Sequence, residues 1–387
     1  MGQLTPKLFV LAGEPSGDAL GAALAKGLRK QAPGVTFDGV AGPLMQAEGV
    51  PSLFPMDELS VMGLAEVLPK YLDLRKRLHQ TAQRVIDTQP DALITIDSPD
   101  FSLRLAKLVK VAKPRIKTIH YVAPSVWAWR PKRAQKMAKV IDHVLALLPF
   151  EPPYMEAAGM TCDFVGHPIV AQDQAGVEDV RAFRSAHGIG DRKLLLVLPG
   201  SRKSEVTRLA PVFGEALAQV AAAQPDIAMV LPAAGPVAPL VRELTSTWAA
   251  KPIILDPSSP EAALEKRAAF TAADVALAAS GTVSLELAAA DTPMVIAYTF
   301  NWLTNRMMER MALIDTVTLV NLISETRVIP EFLLDNCQPG PIAARLLDVM
   351  EKPGEQRNAA KLTMERLGRG GEPPGDRAAQ SVLAALR

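Results

Sequence analysis

The feature that most constrains the fold is a pattern, present twice, of an apolar strand, a glycine-containing turn and a helix. The first set opens with strand Lys7–Ala12, turn 12–18 and a helix from about Asp18 to Gln31. The second opens with strand Lys193–Leu198 and turn 199–202. Short buried strands that alternate with helices are typical of a parallel sheet covered on both faces. A chain of 387 residues is long enough for two such domains.

Both sets continue with further apolar runs that we predict to be strands. They are Ala92–Ile96, Lys117–Val122, Val144–Leu148 and Cys162–Val165 in the first set, and Ile227–Leu231, Ile253–Leu255, Val275–Ala278 and Met294–Ala297 in the second. A segment of small and polar residues, Ala171–Val177, separates the two sets. We therefore predict an N-terminal domain over 1–170, a second domain over 171–360, and a C-terminal helix in 361–387 that packs back on the N-terminal domain.

Composition argues against several classes of protein. Two cysteines far apart, Cys162 and Cys337, form neither a disulfide framework nor a cysteine-rich metal site. The five histidines show no zinc-ligand spacing, and His167 is better explained by capping or packing. We predict no metal and no cofactor. The N-terminus lacks the apolar core of a signal peptide, and no apolar run approaches the roughly 20 residues of a membrane-spanning helix.

Charge is distributed unevenly along the chain. Residues 101–141 contain 11 Lys or Arg and no acid, although the net charge of the whole chain is only +1. Such a block indicates an anionic partner, which is phosphate, nucleic acid or an acidic membrane surface.

An apolar segment, 61–68, leads into basic residues and is either part of a core helix or a patch that docks on an anionic bilayer. Its candidate membrane contacts are Val61, Met62, Leu64, Val67 and Leu68.

Two turns of the first set carry candidate reactive groups. In turn 12–18 the glycines let backbone N–H groups approach an anion, or else Ser16 or Asp18 caps the helix. The G-x-G-x-x-G spacing is absent, which disfavours a dinucleotide-dependent oxidoreductase. Asp97 and Asp100 follow strand Ala92–Ile96, where ligands of open α/β sheets bind. We expect one carboxylate to cap the next helix and Asp97 to be the functional one.

Two turns of the second set are candidates for holding a diphosphate. Gly200, Ser201 and Arg202 follow a strong strand, and their amides and guanidinium group are suited to a pyrophosphate. The alternative is a capped turn with a surface arginine. Ser280, Gly281 and Thr282 open a later helix and permit close approach of phosphate. Glu286, one turn on, either takes two ribose hydroxyls or stabilises the helix dipole.

Two of the four tryptophans, Trp127 and Trp129, stand beside Arg130 and a basic helix. Aromatic residues next to cations hold a sugar or a lipid headgroup, or they are core residues beneath a solvated basic face. Composition does not decide between these alternatives.

In this order the motifs resemble the lipid-A-disaccharide synthase family over nearly the whole chain. The motifs are AGEPSGD (12–18), VAGP (40–43), VMG (61–63), IDSPDF (96–101), HYVAPSVWAW (120–129), LPFE (148–151), VGHP (165–168), LPGSR (198–202), ASGT (279–282), Glu286 and LVNLI (319–323). The tryptophan motif is the most specific. The resemblance implies a GT-B-like α/β fold, two Rossmann-like domains facing a central cleft. The N-terminal one would face acceptor and membrane, and the second would bind the UDP-sugar.

The resemblance also implies the reaction and its site. The substrates would be UDP-2,3-diacylglucosamine and 2,3-diacylglucosamine 1-phosphate (lipid X), joined by metal-independent inverting chemistry into a β-1,6 disaccharide. Ser16, Asp97, Arg202 and Asn321 match functional positions of the family, with Glu286 in the nucleotide-site helix. Peripheral binding to anionic lipids at the cytoplasmic face of the inner membrane is implied, without nucleic acid, and a homodimer is left open. Alternatives are another GT-B-type enzyme (the lipid II-forming N-acetylglucosaminyltransferase or a UDP-sugar epimerase) and a non-enzymatic anionic-lipid-binding protein.

Overall fold

The computed structural model describes residues 5–59, 64–300 and 314–387, with the side chains of 64–70 left out. The chain forms two compact units. The first comprises the residues up to Ala171 together with Leu367–Arg387, and the second comprises Gln172–Arg366. Each unit contains one six-stranded sheet in which all described pairings are parallel.

The first unit has the strand order β2-β1-β3-β4-β5-β6. Its strands are β1 (Lys7–Ala12), β2 (Thr36–Val40), β3 (Ala92–Ile96), β4 (Lys117–Tyr121), β5 (His143–Ala146) and β6 (Thr161–Phe164). Its helices are α1 (Pro15–Gln31), α2 (Pro43–Ala47), α3 (Leu64–Thr88), α4 (Pro99–Ala112), α5 (Lys132–Met137) and α6 (Pro152–Glu156), with 3₁₀ turns at Met56–Glu58 and Pro168–Ala171.

The second unit has the order β12-β11-β10-β7-β8-β9. Its strands are β7 (Leu194–Leu198), β8 (Ala228–Pro232), β9 (Ile253–Leu255), β10 (Val275–Ala279), β11 (Met294–Tyr298) and β12 (Glu331–Leu333). Its helices are α7 (Val177–Ala186), α8 (Lys203–Ala223), α9 (Ala238–Thr245), α10 (Ala262–Ala272), α11 (Val283–Ala289), α12 (Leu319–Ser324), α13 (Pro339–Glu351) and α14 (Gly354–Arg366), with 3₁₀ turns at Gly235–Val237 and Leu334–Asn336.

A last helix, α15 (Pro374–Ala385), belongs to the first unit and packs on α1. Two glycines permit the close approach, since a Cβ on Gly27 would lie 2.5 Å from the carbonyl oxygen of Gly375. The Lys30 ammonium donates to Asp376 Oδ2 at 2.6 Å at the edge of this contact. Residues distant in sequence thus close the core of the first unit.

The predicted strands form, and the α/β architecture with two sheets is confirmed. Two edge strands, β2 and β12, were not predicted because neither is continuously apolar. In β2, Asp38 is a half-buried acid paired with Arg84, and Gly39 lies so close to β1 that a Cβ would be 2.0 Å from the Val10 carbonyl oxygen. β12 has only three residues, all half-buried.

Candidate functional site

The strand order reverses once in each sheet, and the candidate turns stand at both reversals. In the first sheet β1 is flanked by β2 and β3, and the turns after β1 and β3 carry Ser16 and Asp97. In the second sheet β7 is flanked by β8 and β10, and the turns after β7 and β10 carry Arg202 and Ser280. Ligands of open α/β sheets bind beyond the carboxyl ends of strands at such switch points.

A cavity of about 650 Å³ opens at the switch point of the second unit. All seven residues predicted to bind a nucleotide line it: Gly200, Ser201, Arg202, Ser280, Gly281, Thr282 and Glu286. The remaining walls come from the ends of β8 and β9 and from α10, including Pro232–Gly235, Asp256, Lys266 and Phe270. The fold therefore brings residues up to about 90 positions apart in sequence together around one cavity.

The turn after β7 is held by Glu205. Its carboxylate accepts hydrogen bonds from the backbone N–H of Ser201 at 3.2 Å and of Arg202 at 3.3 Å. Arg202 Nη1 lies 3.2 Å from the other carboxylate oxygen. Gly200 has φ +115°, and a Cβ there would lie 2.7 Å from Glu205 atoms, so only glycine fits. Glu205 occupies the N–H groups of Ser201 and Arg202 and also contacts the Arg202 guanidinium, which is nevertheless 69% exposed and so is the group of this turn most accessible to an anion.

Opposite charges also meet on the cavity wall. Lys266 Nζ lies 2.6 Å from Glu286 Oε2, and 5.1 Å from the centroid of the Phe270 ring. Glu286 stands in the first turn of α11, as both predicted roles require, and its partner Lys266 comes from α10. The pair places a cation and an anion where a ligand would meet both.

The Asp97 turn has an unusual backbone. Asp97 and Ser98 both have positive φ, +51° and +44°. The turn is held by a bond from Asp97 N–H to the Tyr121 carbonyl at 2.9 Å and by Ser102 Oγ, which donates to the Asp97 carbonyl at 2.7 Å. Among described residues, no side chain or amide contacts the half-buried Asp97 carboxylate by a hydrogen bond. Strained backbone at a strand end is often kept for function.

Contrary to our expectation, neither Asp97 nor Asp100 caps α4. The N-cap residue is Ser98, and it too makes no side-chain capping bond. Asp18 likewise does not cap its own helix. Its buried carboxylate accepts the N–H groups of Leu44 and Met45, each at 2.9 Å, and so caps α2. Ser16 is exposed in the first turn of α1. The turn after β1 lies close to the turn after β3, since a Cβ on Gly13 would be 2.8 Å from Ser98 Oγ.

The tryptophan motif divides into a buried and an accessible part. Trp127 is buried, stacks edge-on against Phe150 at 5.1 Å, and donates its indole N–H to Glu151 at 3.4 Å. Burial raises the pKa of Glu151 to about 7. Trp129 is half-buried, and the exposed Arg130 guanidinium lies 4.2 Å from its ring centroid. Of the three candidate contacts in this motif, Trp129 and Arg130 are therefore accessible to a ligand and Trp127 is not.

Asn321 is buried and saturated with hydrogen bonds. Its amide nitrogen donates to Thr316 Oγ1 and to the Ile329 carbonyl at 3.1 and 2.9 Å, and its oxygen accepts the Ile329 N–H at 3.0 Å. It does not line the cavity described above. His167 is half-buried. Its Nδ1 accepts the Ile169 N–H at 3.1 Å, and burial lowers its pKa to about 4.

The candidate membrane segment is only partly described. Val61 and Met62 lie outside the described residues, and Leu64, Val67 and Leu68 lie in the start of α3, whose side chains are not described. Farther along α3, Leu78 packs on the core, whereas Tyr71 and Leu72 are 48% and 75% exposed. Within the described ranges no helix is both long and apolar enough to cross a bilayer.

Sequence comparison decides the family. A family model for lipid-A-disaccharide synthetase matches residues 8–384. A lipid-A-disaccharide synthase of Ruegeria pomeroyi is 62% identical over 98% of this chain and 95% of its own length. One of Rhodospirillum centenum is 45% identical over 98% and 94%. The chain belongs to the lipid-A-disaccharide synthase family. It is accordingly a glycosyltransferase of lipid A biosynthesis.

Solved structures agree with the GT-B-type fold expected of the family. A Neisseria meningitidis UDP-GlcNAc 2-epimerase bound to UDP-GlcNAc has a TM-score of 0.62 at 12% identity, covering 98% of this chain and 99% of that one. The UDP co-structure of S. aureus MnaA has a TM-score of 0.63 at 13% identity, covering 98% and 95%. At these identities the likeness concerns the fold alone.

Sequence reasoning missed part of the cavity wall. Lys266 and Phe270 of α10 and the segment Pro232–Gly235 after β8 line the cavity without belonging to any predicted site. The small residues after β8 could have been found by applying the strand-end argument to that strand as well. The sequence around Lys266 contains no motif that would predict a place in the cavity wall. Among the described residues, no cluster of three His, Cys, Asp or Glu side chains is arranged to hold a metal ion.

Proposed function

We propose that this member of the family transfers 2,3-diacylglucosamine from UDP to the 6-hydroxyl of 2,3-diacylglucosamine 1-phosphate, giving the β-1,6 disaccharide and UDP. One observation carries the proposal: the seven predicted nucleotide-binding residues, far apart in sequence, line a single cavity at a topological switch point. In this proposal the second unit holds the UDP-sugar, and the first unit serves the acceptor and the membrane.

Within the cavity, the diphosphate would lie between Arg202 and the turn Ser280–Thr282. Arg202 is mostly exposed, and among the described residues its guanidinium pairs only with Glu205, at 3.2 Å, so it can turn to a ligand at little cost. Its charge would stabilise the UDP leaving group, and loss of such a donor typically costs about 3–4 kcal/mol in the transition state. Gly281 has φ +154°, and a Cβ at this position would meet no atom within 4 Å, so space for a phosphate is open there.

The nucleoside would then extend toward α10 and α11. Glu286 accepts the ribose hydroxyls in this arrangement, because a carboxylate has two acceptor oxygens for two neighbouring donors. Lys266 shares that carboxylate and adds a positive charge on the diphosphate side.

Asp97 is proposed as the general base. Its carboxylate is half-buried and has no hydrogen-bond partner among the described residues, so its acceptor capacity is open to a substrate hydroxyl. It would take the proton as the acceptor oxygen attacks the anomeric carbon opposite UDP, which inverts that centre in one displacement. The exposed Ser16, on the neighbouring turn, would orient the acceptor. Asn321 would act as a positioning residue, since the nitrogen and the oxygen of its side-chain amide already form hydrogen bonds with Thr316 and Ile329.

The chain is proposed to work peripherally at the cytoplasmic face of the inner membrane, on anionic lipids. The exposed apolar pair Tyr71 and Leu72 on α3, next to the exposed Arg75 and Lys76, supports this proposal. Apolar side chains rimmed by cations are typical of interfacial helices. Trp129 and Arg130 are the accessible part of the tryptophan motif that would meet a lipid headgroup.

The alternatives are less well supported. The structural neighbours include UDP-GlcNAc 2-epimerases, but these share only 12–16% identity with the chain, whereas the two synthases named above share 62% and 45%. A non-enzymatic lipid-binding protein would not require a lined cavity of this size. The direct test mixes the purified chain with both diacylated substrates and measures UDP and the disaccharide phosphate by mass. The proposal fails if UDP forms without disaccharide, or if neither product appears.

A further inference from the structure

Two consecutive residues at the end of β3 have a left-handed backbone conformation. Asp97 has φ +51° and Ser98 has φ +44°. This conformation is uncommon for residues other than glycine, although aspartate tolerates it better than most. Because φ and ψ set the direction in which a side chain leaves the backbone, the Asp97 carboxylate keeps its direction only while this conformation persists. The groups that hold the turn therefore determine where the proposed general base stands.

The sheet supplies a partner to the N–H of Asp97 but ends before its carbonyl. The N–H donates to the Tyr121 carbonyl at 2.9 Å, in the register of the β3–β4 ladder. In a regular parallel ladder the Asp97 carbonyl would then accept from an amide two positions beyond Tyr121. However, β4 ends at Tyr121, and the chain turns at Val122, which has φ +83° and donates its N–H to the Leu145 carbonyl of β5 at 3.0 Å. The Asp97 carbonyl therefore needs a donor from outside the sheet.

Ser102, in the second turn of α4, supplies donors to both carbonyls of the left-handed pair. Its hydroxyl donates to the Asp97 carbonyl at 2.7 Å, and its backbone N–H donates to the Ser98 carbonyl at 3.0 Å. Ser102 is fully buried, so water does not compete for these bonds. The hydroxyl thus takes the place of the amide that the sheet does not provide.

We propose that Ser102 is a positioning residue for the reaction, whose hydroxyl fixes the left-handed conformation of Asp97 and so aims the carboxylate at the acceptor hydroxyl. The inference rests on the proposed role of Asp97 as general base. A misdirected base slows the bound complex without weakening the binding of either substrate. A serine that only supports the fold would affect stability and leave the rate of the folded enzyme unchanged.

The test is Ser102→Ala, which removes the hydroxyl and keeps the backbone N–H of residue 102. With both diacylated substrates saturating, kcat should fall about tenfold, because the carbonyl that fixes the base loses its donor. KM for each substrate and the affinity for UDP should stay unchanged. UDP and the disaccharide phosphate are measured by mass, and UDP affinity is measured by calorimetric titration.

A double variant separates positioning of the base from general damage to the first unit. In a chain that already carries Asp97→Asn, adding Ser102→Ala should cause no further loss of turnover, because no base remains to be aimed. The fall in melting temperature caused by Ser102→Ala should nevertheless be the same in both backgrounds, since the buried carbonyl of residue 97 loses its donor in each.

Thr81→Val is the matched control. Thr81, on α3, is also fully buried in the first unit, and its hydroxyl donates to the backbone carbonyl of Arg77 at 2.8 Å. Valine has nearly the same shape as threonine but has no hydroxyl. This variant loses a buried hydrogen bond of the same kind at a place away from Asp97, and it should keep full turnover.

Four outcomes would overturn the proposal. They are full turnover of Ser102→Ala, a loss confined to KM, an equal loss of turnover in Thr81→Val, and a further tenfold loss when Ser102→Ala is added to Asp97→Asn. Failure of the proposed function gives a different result. If Asp97→Asn itself keeps near-normal turnover, Asp97 is not the base and the role of Ser102 falls with it. If Asp97→Asn loses turnover while Ser102→Ala does not, only the role of Ser102 is rejected.

Discussion

The ammonium group of Lys266 lies 2.6 Å from the carboxylate of Glu286, and both side chains line the cavity of the second unit. They come from α10 and α11, 20 residues apart. The side chains are 47% and 34% exposed, so solvent screens the pair and its contribution to stability is below about 1 kcal/mol. The pair therefore contributes little to folding, and its proposed role in ligand binding can be tested separately from stability.

Lys266→Met should weaken UDP binding about tenfold or more, because a charge-assisted contact near the diphosphate is lost. Uridine binding should change little, since uridine carries no phosphate. Lys266→Arg is the conservative control and should retain most UDP affinity. Calorimetric titration with the two ligands gives the comparison, and an equal loss for UDP and uridine would contradict the assignment.

Asp97→Asn should lower turnover by about 10²–10⁴-fold while UDP affinity stays unchanged, because Asn cannot accept the proton. Asn suits this test because it tolerates the positive φ of +51° at this position, so the backbone is preserved. Asp100→Asn, at the exposed neighbouring acid, should give near-normal turnover. If the two variants behave alike in a UDP-release assay, Asp97 is not the base.

Asn321→Leu should destabilise the second unit by about 3 kcal/mol, since it leaves buried backbone groups of Ile329 without partners. Excess UDP should raise the melting temperature of the variant. Turnover per folded molecule should also fall, but by less than in Asp97→Asn, as expected of a positioning residue. Asn358→Ala, an exposed amide on α14, serves as the control in thermal unfolding. Full stability with abolished turnover would instead indicate direct contact with substrate.

Glu151 should make the first unit less stable as pH rises. Its pKa is raised by burial to about 7, above the value of the unfolded chain, so the folded state holds the proton more tightly. That stability is fully present below about pH 4.5 and is lost progressively up to about pH 7.

A glutamine at position 151 cannot ionise, so the Glu151→Gln variant should not lose this stability as pH rises. Its free energy of unfolding relative to the unchanged chain should therefore increase between pH 5 and pH 8, by up to about 3 kcal/mol. The comparison uses the difference between the two proteins because the buried His120 and the half-buried His167 also titrate. Their pKa values are lowered to about 4, so their contribution to stability is lost as pH falls, which is the opposite direction. A pH-independent difference in denaturant unfolding would refute the role of Glu151.

Much of the fold and half of the site follow from local sequence. Apolar strands and their glycine turns locate the switch points, and parallel pairing then brings the turns after β7 and β10 to the same sheet edge. The turns with Ser16 and Asp97 are joined in the same way through β1 and β3. These inferences need only the strand order that βαβ units favour.

The rest depends on contacts between distant residues. The buried Trp127 donates its indole N–H to Glu151, 24 residues later, and the buried Asn321 pairs with Ile329 in the loop after α12. Lys266 is an ordinary surface lysine in sequence until α10 brings it to Glu286. The partners of Trp127 and Lys266 lie 24 and 20 residues away, so tertiary structure alone shows these two pairs. Asn321 and Ile329 are only 8 residues apart, but no local motif marks their pairing.

The position of α15 bears on biosynthesis. The Gly27–Gly375 contact and the Lys30–Asp376 bond show that α1 completes its packing only with residues made about 345 positions later. The second unit, continuous from Gln172 to Arg366, can therefore mature on the ribosome while the earlier one still waits for its final helix. Nascent α1 would meanwhile leave an apolar flank uncovered, a target for chaperones during every round of translation.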